Sequence, residues 1–262
     1  MLTLSAEKSR LPPARLLLLA GKVWFIVATM GQYGFGLYVI LYYATTAATN
    51  RFEIWNKNLF SGLIPGDWLG NVLLVFHILL ASVILFGGPL QFMPFIRNRF
   101  RRFHRYLGRT YLSLAVLISL AGVVMTIQGK SFGSFFLQAV TSLSAIYICW
   151  FALMTIKNAI LKNFQAHPKW ALRLFMMANG VWFIRVWPSA WRILTNDRVG
   201  SYPENVVAFF TYVLPLQLIL LELYFWALKK NQPRLQWVAI ITIFAFTYRG
   251  PGENLLHVCS IQ

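Results

Sequence analysis

The chain has 262 residues, 58% of them hydrophobic and only 12% charged, with a mean hydropathy of +0.60. That composition excludes an ordinary soluble domain. The 24 Lys and Arg against 7 Asp and Glu give a formal charge of +17, yet the basic residues fall between apolar segments with no soluble domain to carry them. They suit lipid headgroups and argue against nucleic acid.

In chain order, the N-terminal "MLTLSAEKSRLPPARLLLLAGKVW" places basic residues before an apolar stretch that lacks a small-residue cleavage site, which predicts an uncleaved first span over 23–44. A connection over 45–68 follows, with Trp55, Phe60 and Trp68 as interfacial anchors. A hydrocarbon core about 30 Å thick needs around 20 apolar residues of helix. On that measure five more segments qualify: 69–90, 110–127, 135–156, 171–193 and 205–228. The third is short and begins within the arginine cluster of "RNRFRRFHRYLGRTYL", residues 97–112. A seventh stretch, Leu235 to Tyr248, is 14 residues long and reads as interfacial or re-entrant.

The prediction is an all-α polytopic membrane helix bundle of about six transmembrane helices, with a short seventh apolar segment near the C-terminus. Residues 1–230 form one transmembrane domain and 231–262 a short C-terminal segment. Lys and Arg concentrate on one side of the spans, at Lys8 to Lys22, Arg97 to Arg109, Lys157 to Arg173 and Lys229 to Arg234. By the positive-inside rule that side and the N-terminus face the cytoplasm, in a bacterial inner membrane.

Cys149 lies inside an apolar run and Cys259 near the C-terminus, so there is neither a disulfide framework nor a CxxC metal site. Nucleotide-binding glycine loops, HExxH and GxSxG are absent. The scarcity of carboxylates argues against a two-carboxylate hydrolase and a hard-cation site.

Ionisable residues within spans are costly and so mark candidate sites, here His77, Arg185 and Glu222. His77 and Arg185 each fall eight residues inside their spans, about 12 Å deep, and could share a layer. An imidazole for iron and a guanidinium for a propionate would suit haem b, with Met125 as a second axial candidate. The bland alternatives are a hydrogen-bonded packing histidine and a core methionine. His104 and His167 form a second pair at the starts of spans three and five. They could ligate a haem iron or a metal, with Arg101, Arg102, Arg105 and Lys169 for propionates or phosphates. Interfacial histidines beside basic clusters are also often plain headgroup-level residues. Glu222 lies about 9 Å inside the basic boundary, within reach of Arg105 or Arg173, and would be proton-active if unpaired.

"FHILLASVILFGGPLQFMPFIRNRFRRFHRYLGRTYL" followed by "AHPKWALRLFMMANGVWFIRVWP" resembles the predicted-membrane-protein family called domain of unknown function 2306, over residues 70 to 195. The motif positions are His77, Gly88, Pro89, Gln91 and Phe92, then His104, Arg105, Leu107, Gly108, Arg109 and Tyr111, then His167, Trp170, Arg173, Arg185 and Pro188. Pro168 stands where the family pattern has a basic residue. The resemblance implies a bacterial polytopic membrane protein and supplies no reaction.

Three functional readings follow. One is a membrane redox protein holding haem b or a metal through His77, His104, His167 and Arg185. Another is a transporter or lipid-handling protein whose Arg101, Arg102, Arg105, Arg109 and Arg173 hold an anionic group, with Glu222 and His77 exchanging protons. The last is an assembly scaffold that contacts other membrane proteins through its polar intramembrane residues.

Overall fold

The computed structural model describes residues 12–58, 63–127, 135–180, 182 and 215–248. Its helices are α1 (Pro13–Ala48), α2 (Trp55–Asn58, entered through a 3-10 turn, Phe52–Ile54), α3 (Trp68–Phe92), α4 (Pro94–Arg99), α5 (Arg101–Ile127), α6 (Phe135–Ile160), α7 (His167–Ala178), α8 (Leu216–Lys230) and α9 (Pro233–Tyr248). No strand occurs among the described residues, as an all-α bundle requires.

Four helices are long and apolar enough to cross a membrane: Pro13–Ala48, Trp68–Phe92, Arg101–Ile127 and Gln138–Ile160. They correspond to the first four predicted spans. The predicted fifth and sixth fall partly outside the described residues, and Arg185 falls wholly outside them.

One boundary differs from the hydropathy reading. α1 begins at Pro13, ten residues before the predicted span, because a proline at the first helical position starts a helix and Arg15 and Lys22 do not break one. α5 begins at Arg101, inside the arginine cluster as predicted. The stretch over 235–248 is helical, within α9.

The chain divides into two compact units, one comprising Met1–Ala28 with Ile219–Gln262 and the other Thr29–Leu218. In the first, Leu17 and Ala20 of α1 pack with Ala227 of α8 and with Ala239 and Ile240 of α9. A Cβ on Gly21 would meet the Tyr224 ring at 3.0 Å, so the small residue sets that approach.

In the second unit α3 packs on α5, α5 on α6 and α6 on α7. The core joins Ile84 of α3, Tyr111 and Ala115 of α5, Ile148, Phe151 and Ala152 of α6, and Leu174 and Met177 of α7. Outward-facing positions are as apolar as the core: Leu79 is 58% exposed and Leu153 66%. Lipid is the solvent that suits such a surface.

Glycines bring the helices close. A Cβ on Gly88 would lie 3.0 Å from the Phe175 ring and 3.1 Å from that of Tyr111, and one on Gly36 would lie 2.9 Å from Phe86. The Tyr33 hydroxyl donates to the Phe86 carbonyl at 3.2 Å, and the two rings stack at 5.2 Å.

The turn from α3 to α5 places the arginines. Met93 is extended (φ −69°, ψ 119°), as the residue before a proline prefers, and Pro94 opens the six-residue α4. Phe100 breaks the helix again (φ −116°, ψ 60°), and its carbonyl accepts from the His104 N–H at 2.9 Å, closing the first turn of α5. Six arginines and His104 are thereby gathered at one end of the α3–α5 hairpin.

Candidate functional site

His104 and His167 come from different helices and lie near enough at this basic end to interact electrostatically. The α6–α7 connection is a tight turn in which Lys162 takes the left-handed conformation (φ 55°). The Asn163 side chain accepts from the Ala166 N–H at 3.2 Å, and the His167 N–H donates to the Asn163 carbonyl at 2.9 Å. α7 then starts with Pro168 in its first turn.

The turn folds His167 back onto α6, where its Nδ1 lies 3.0 Å from the Thr155 carbonyl oxygen. A carbonyl only accepts, so Nδ1 carries the hydrogen and the lone pair of the neutral ring sits on Nε2. His167 and Arg97 both act electrostatically on His104. His104 Nδ1 itself is buried without a hydrogen-bond partner.

A third side chain joins them. His104 and Gly108 are one turn apart on α5, and Gly108 leaves a notch for Gln91 of α3: a Cβ there would lie 3.3 Å from Gln91 Oε1. Gln91 Nε2 is buried and lacks a hydrogen-bond partner. Around this polar group Arg97, Arg99, Arg101, Arg102, Arg105 and Arg109 are exposed. Arg99, Arg101 and Arg102 line an open cleft with Phe100 and Phe103. Arg173 is half-buried, its guanidinium 4.6 Å over the Trp170 ring. No Asp or Glu occurs in the sequence between Asp67 and Asp197.

Residues 74–225 match the family described as a predicted membrane protein, DUF2306. The chain belongs to this family. The matched DUF2306 segment contains His77, Gln91, His104, Arg109, His167, Arg173 and Glu222. No curated protein and no solved structure matches the chain.

The other predicted site residues lie elsewhere. His77 is eleven residues from Gly88 along α3, about 16 Å by the helical rise, so it does not join the His104–His167 group. Its Nδ1 is also buried without a hydrogen-bond partner. A shared layer of His77 with Arg185 falls outside the described residues. Met125 is buried in α5, twenty-one residues beyond His104. Glu222 is exposed on α8 and engaged in an interaction. Among the described residues no group of three or more His, Cys, Asp or Glu is arranged to hold a metal ion.

Hydrophobic and charge patterning alone do not single out Gln91, Tyr111, Asn179 or Gln32. They are neutral, and only their burial marks them: Gln32 is 1% exposed, Asn179 0% and Tyr111 7%. Hydrogen-bond partners are missing at Thr29 Oγ1, Gln32 Oε1, His77 Nδ1, Gln91 Nε2, His104 Nδ1, the Tyr111 hydroxyl and Asn179 Oδ1, all within the unit Thr29–Leu218. At about 1–3 kcal/mol each, these seven atoms would cost roughly 7–20 kcal/mol if left unpaired. A domain's whole stability is about 5–15 kcal/mol. Groups beyond the described residues, whether protein, water or ligand, are therefore needed to pair with many of them.

Proposed function

We propose that this DUF2306 protein binds an anionic group, a lipid headgroup phosphate or a soluble phosphate ester, at the basic end of its α3–α7 bundle, as a lipid-handling or transport protein. The observation that carries this reading is the union of Gln91 Nε2 and His104 Nδ1, buried without hydrogen-bond partners, with His167 and a ring of exposed arginines. An amide N–H requires an acceptor, an imidazole nitrogen can donate to one in the matching tautomer, and the exposed arginines from Arg97 to Arg109 supply positive charge. Phosphate oxygens meet both needs. In this reading Arg101, Arg102, Arg105 and Arg109 draw in the anion and Arg173, held over Trp170, presents a fixed guanidinium. The basic end then faces the cytoplasmic leaflet of a bacterial inner membrane, where anionic lipids attract such clusters.

The test is the melting temperature of detergent-purified protein with phosphatidylcholine or with an anionic phospholipid at equal mole fraction. The anionic lipid is expected to raise the melting temperature and Gln91→Leu with His104→Leu to abolish the rise. Equal melting temperatures in the two lipids would overturn the reading.

A second reading has one observation in its favour. The Nδ1–H bond of His167 to the Thr155 carbonyl is the support that orients a metal-ligating imidazole. His104 and His167 would then hold a haem b, which would supply one-electron chemistry, with the arginines near its carboxylates. A Soret band in protein expressed with ample haem, lost in His104→Ala and His167→Ala, would support it, and a colourless protein would exclude it.

A further inference from the structure

The turn between α4 and α5 is concave. Asn98 and Arg99 at the end of α4, Phe100 at the break, and Arg101, Arg102 and Phe103 at the start of α5 line one open cleft of about 530 Å³. None of the six is acidic. Such a volume falls within the roughly 300–1,000 Å³ of small-molecule sites. A single phosphate, five heavy atoms, needs only the room of a few waters at about 30 Å³ each.

The cleft joins two kinds of surface. Three guanidiniums within four residues repel one another and suit a polyanion placed between them, each able to grip phosphate oxygens in a bidentate fork. Beside them lies an apolar rim. The rings of Phe95 and Phe100 pack edge to face with centres 5.4 Å apart and are still 68% and 49% exposed, and Phe103 is 48% exposed. Phenylalanines interleaved with arginines suit the boundary between headgroups and acyl chains, rings toward the chains and guanidiniums toward the phosphates. A water-soluble anion would make no use of those rings.

Arg101 links the cleft to the histidine group. His104 and Arg105 stand three and four residues further along α5, so their Cβ atoms lie about 5–6 Å from that of Arg101. Phosphates on the outer carbons of a three-carbon bridge are separated by about the same distance, with bonds near 1.5 Å.

We infer that this end of the bundle takes a lipid carrying two linked phosphates, one at Gln91 and His104 and the other in the cleft of Arg99, Arg101 and Arg102, with acyl chains along Phe95 and Phe100. This rests on the anion reading above and narrows its ligand from any phosphate ester to a two-phosphate lipid. Cardiolipin, whose two phosphates share one glycerol, has that form.

The experiment titrates the purified full chain in detergent with cardiolipin, with phosphatidylglycerol at equal phosphate, with phosphatidylcholine and with inorganic pyrophosphate, and reads the shift in melting temperature. Linking two phosphates makes the second contact intramolecular, so cardiolipin is expected to show about tenfold higher apparent affinity per phosphate than phosphatidylglycerol. Arg101→Gln with Arg102→Gln is expected to bring cardiolipin down to the phosphatidylglycerol level. Both positions are exposed and glutamine is a good helix former, and each variant is read against its own melting temperature in phosphatidylcholine. Lys157→Gln with Lys162→Gln, exposed at the same basic end, removes equal charge and is expected to leave the preference intact. Loss of the preference in both pairs would overturn the inference in favour of diffuse attraction, and pyrophosphate matching cardiolipin would overturn it in favour of a soluble ligand. Equal affinity for cardiolipin and phosphatidylglycerol, both above phosphatidylcholine, would overturn it and leave the anion reading standing. No stabilisation by any of the anionic compounds would overturn both.

Discussion

Gly88 offers a direct test of how the hairpin and α7 come together. In Gly88→Ala the new methyl group would meet Phe175 at 3.0 Å and Tyr111 at 3.1 Å, two rings that are 1% and 7% exposed and closely surrounded. Overpacking of this kind costs about 1–3 kcal/mol. Replacing a helical glycine also gains up to about 1 kcal/mol of helix propensity, which masks part of the cost. Gly122 of α5 provides the correction, because a Cβ there meets nothing within 4 Å. Gly122→Ala should show the propensity gain alone. The gap between the two variants isolates the steric cost, and at roughly 2–4 °C per kcal/mol it amounts to about 2–12 °C in melting temperature. Thermal unfolding of both variants in one detergent is the assay. If Gly88→Ala melts with or above Gly122→Ala, the close approach of α3, α5 and α7 described here is wrong.

At His167, asparagine places its amide where Nδ1 stands. His167→Asn should keep the bond to the Thr155 carbonyl and nearly all stability, while His167→Ala loses about 1 kcal/mol; equal melting temperatures for the two would refute the assigned tautomer. Trp170→Leu removes the ring beneath Arg173 and its contacts with Trp150 and Phe151, and should cost at least about 1 kcal/mol by thermal unfolding. Stabilisation by anionic lipid should weaken from about 0.1 M to 1 M salt as the screening length falls from about 10 to 3 Å. A salt-independent effect would show that the exposed arginines take no part.

Hydropathy located the second span to within two residues at each end and the start of the fourth at Phe135, whereas α6 runs on through Lys157 to Ile160. It failed at the start of α1, where hydropathy reports residues that suit hydrocarbon while a helix ends where its hydrogen bonds do. The histidine pair was legible because His104 and His167 each precede a span on the basic side. Gln91 and Tyr111 stood out only as positions of the family motif, and Asn179 and Gln32 not at all, since a neutral polar residue in an apolar run is commonplace until its partners are counted. That count depends on which glycines admit which rings, a property of the packed bundle that no single segment carries.

The length of α1 has a consequence for the bilayer around it. Thirty-six residues make a rod about 54 Å long, whereas the hydrocarbon layer is about 30 Å thick. Even at the steepest usual tilt, about 40°, the layer covers only some 39 Å of it, leaving about 15 Å, or ten residues, outside. The end at Ala48 is suited to standing in either medium. The Thr45, Thr46 and Thr49 hydroxyls bond to carbonyls of their own helix, and Thr46 also accepts from the Trp55 indole at 2.7 Å. At the other end Arg15 and Lys22 resist being drawn into hydrocarbon. α1 can therefore rise and sink at its threonine end as membrane thickness changes, anchored by its cations like a gauge with one fixed mark.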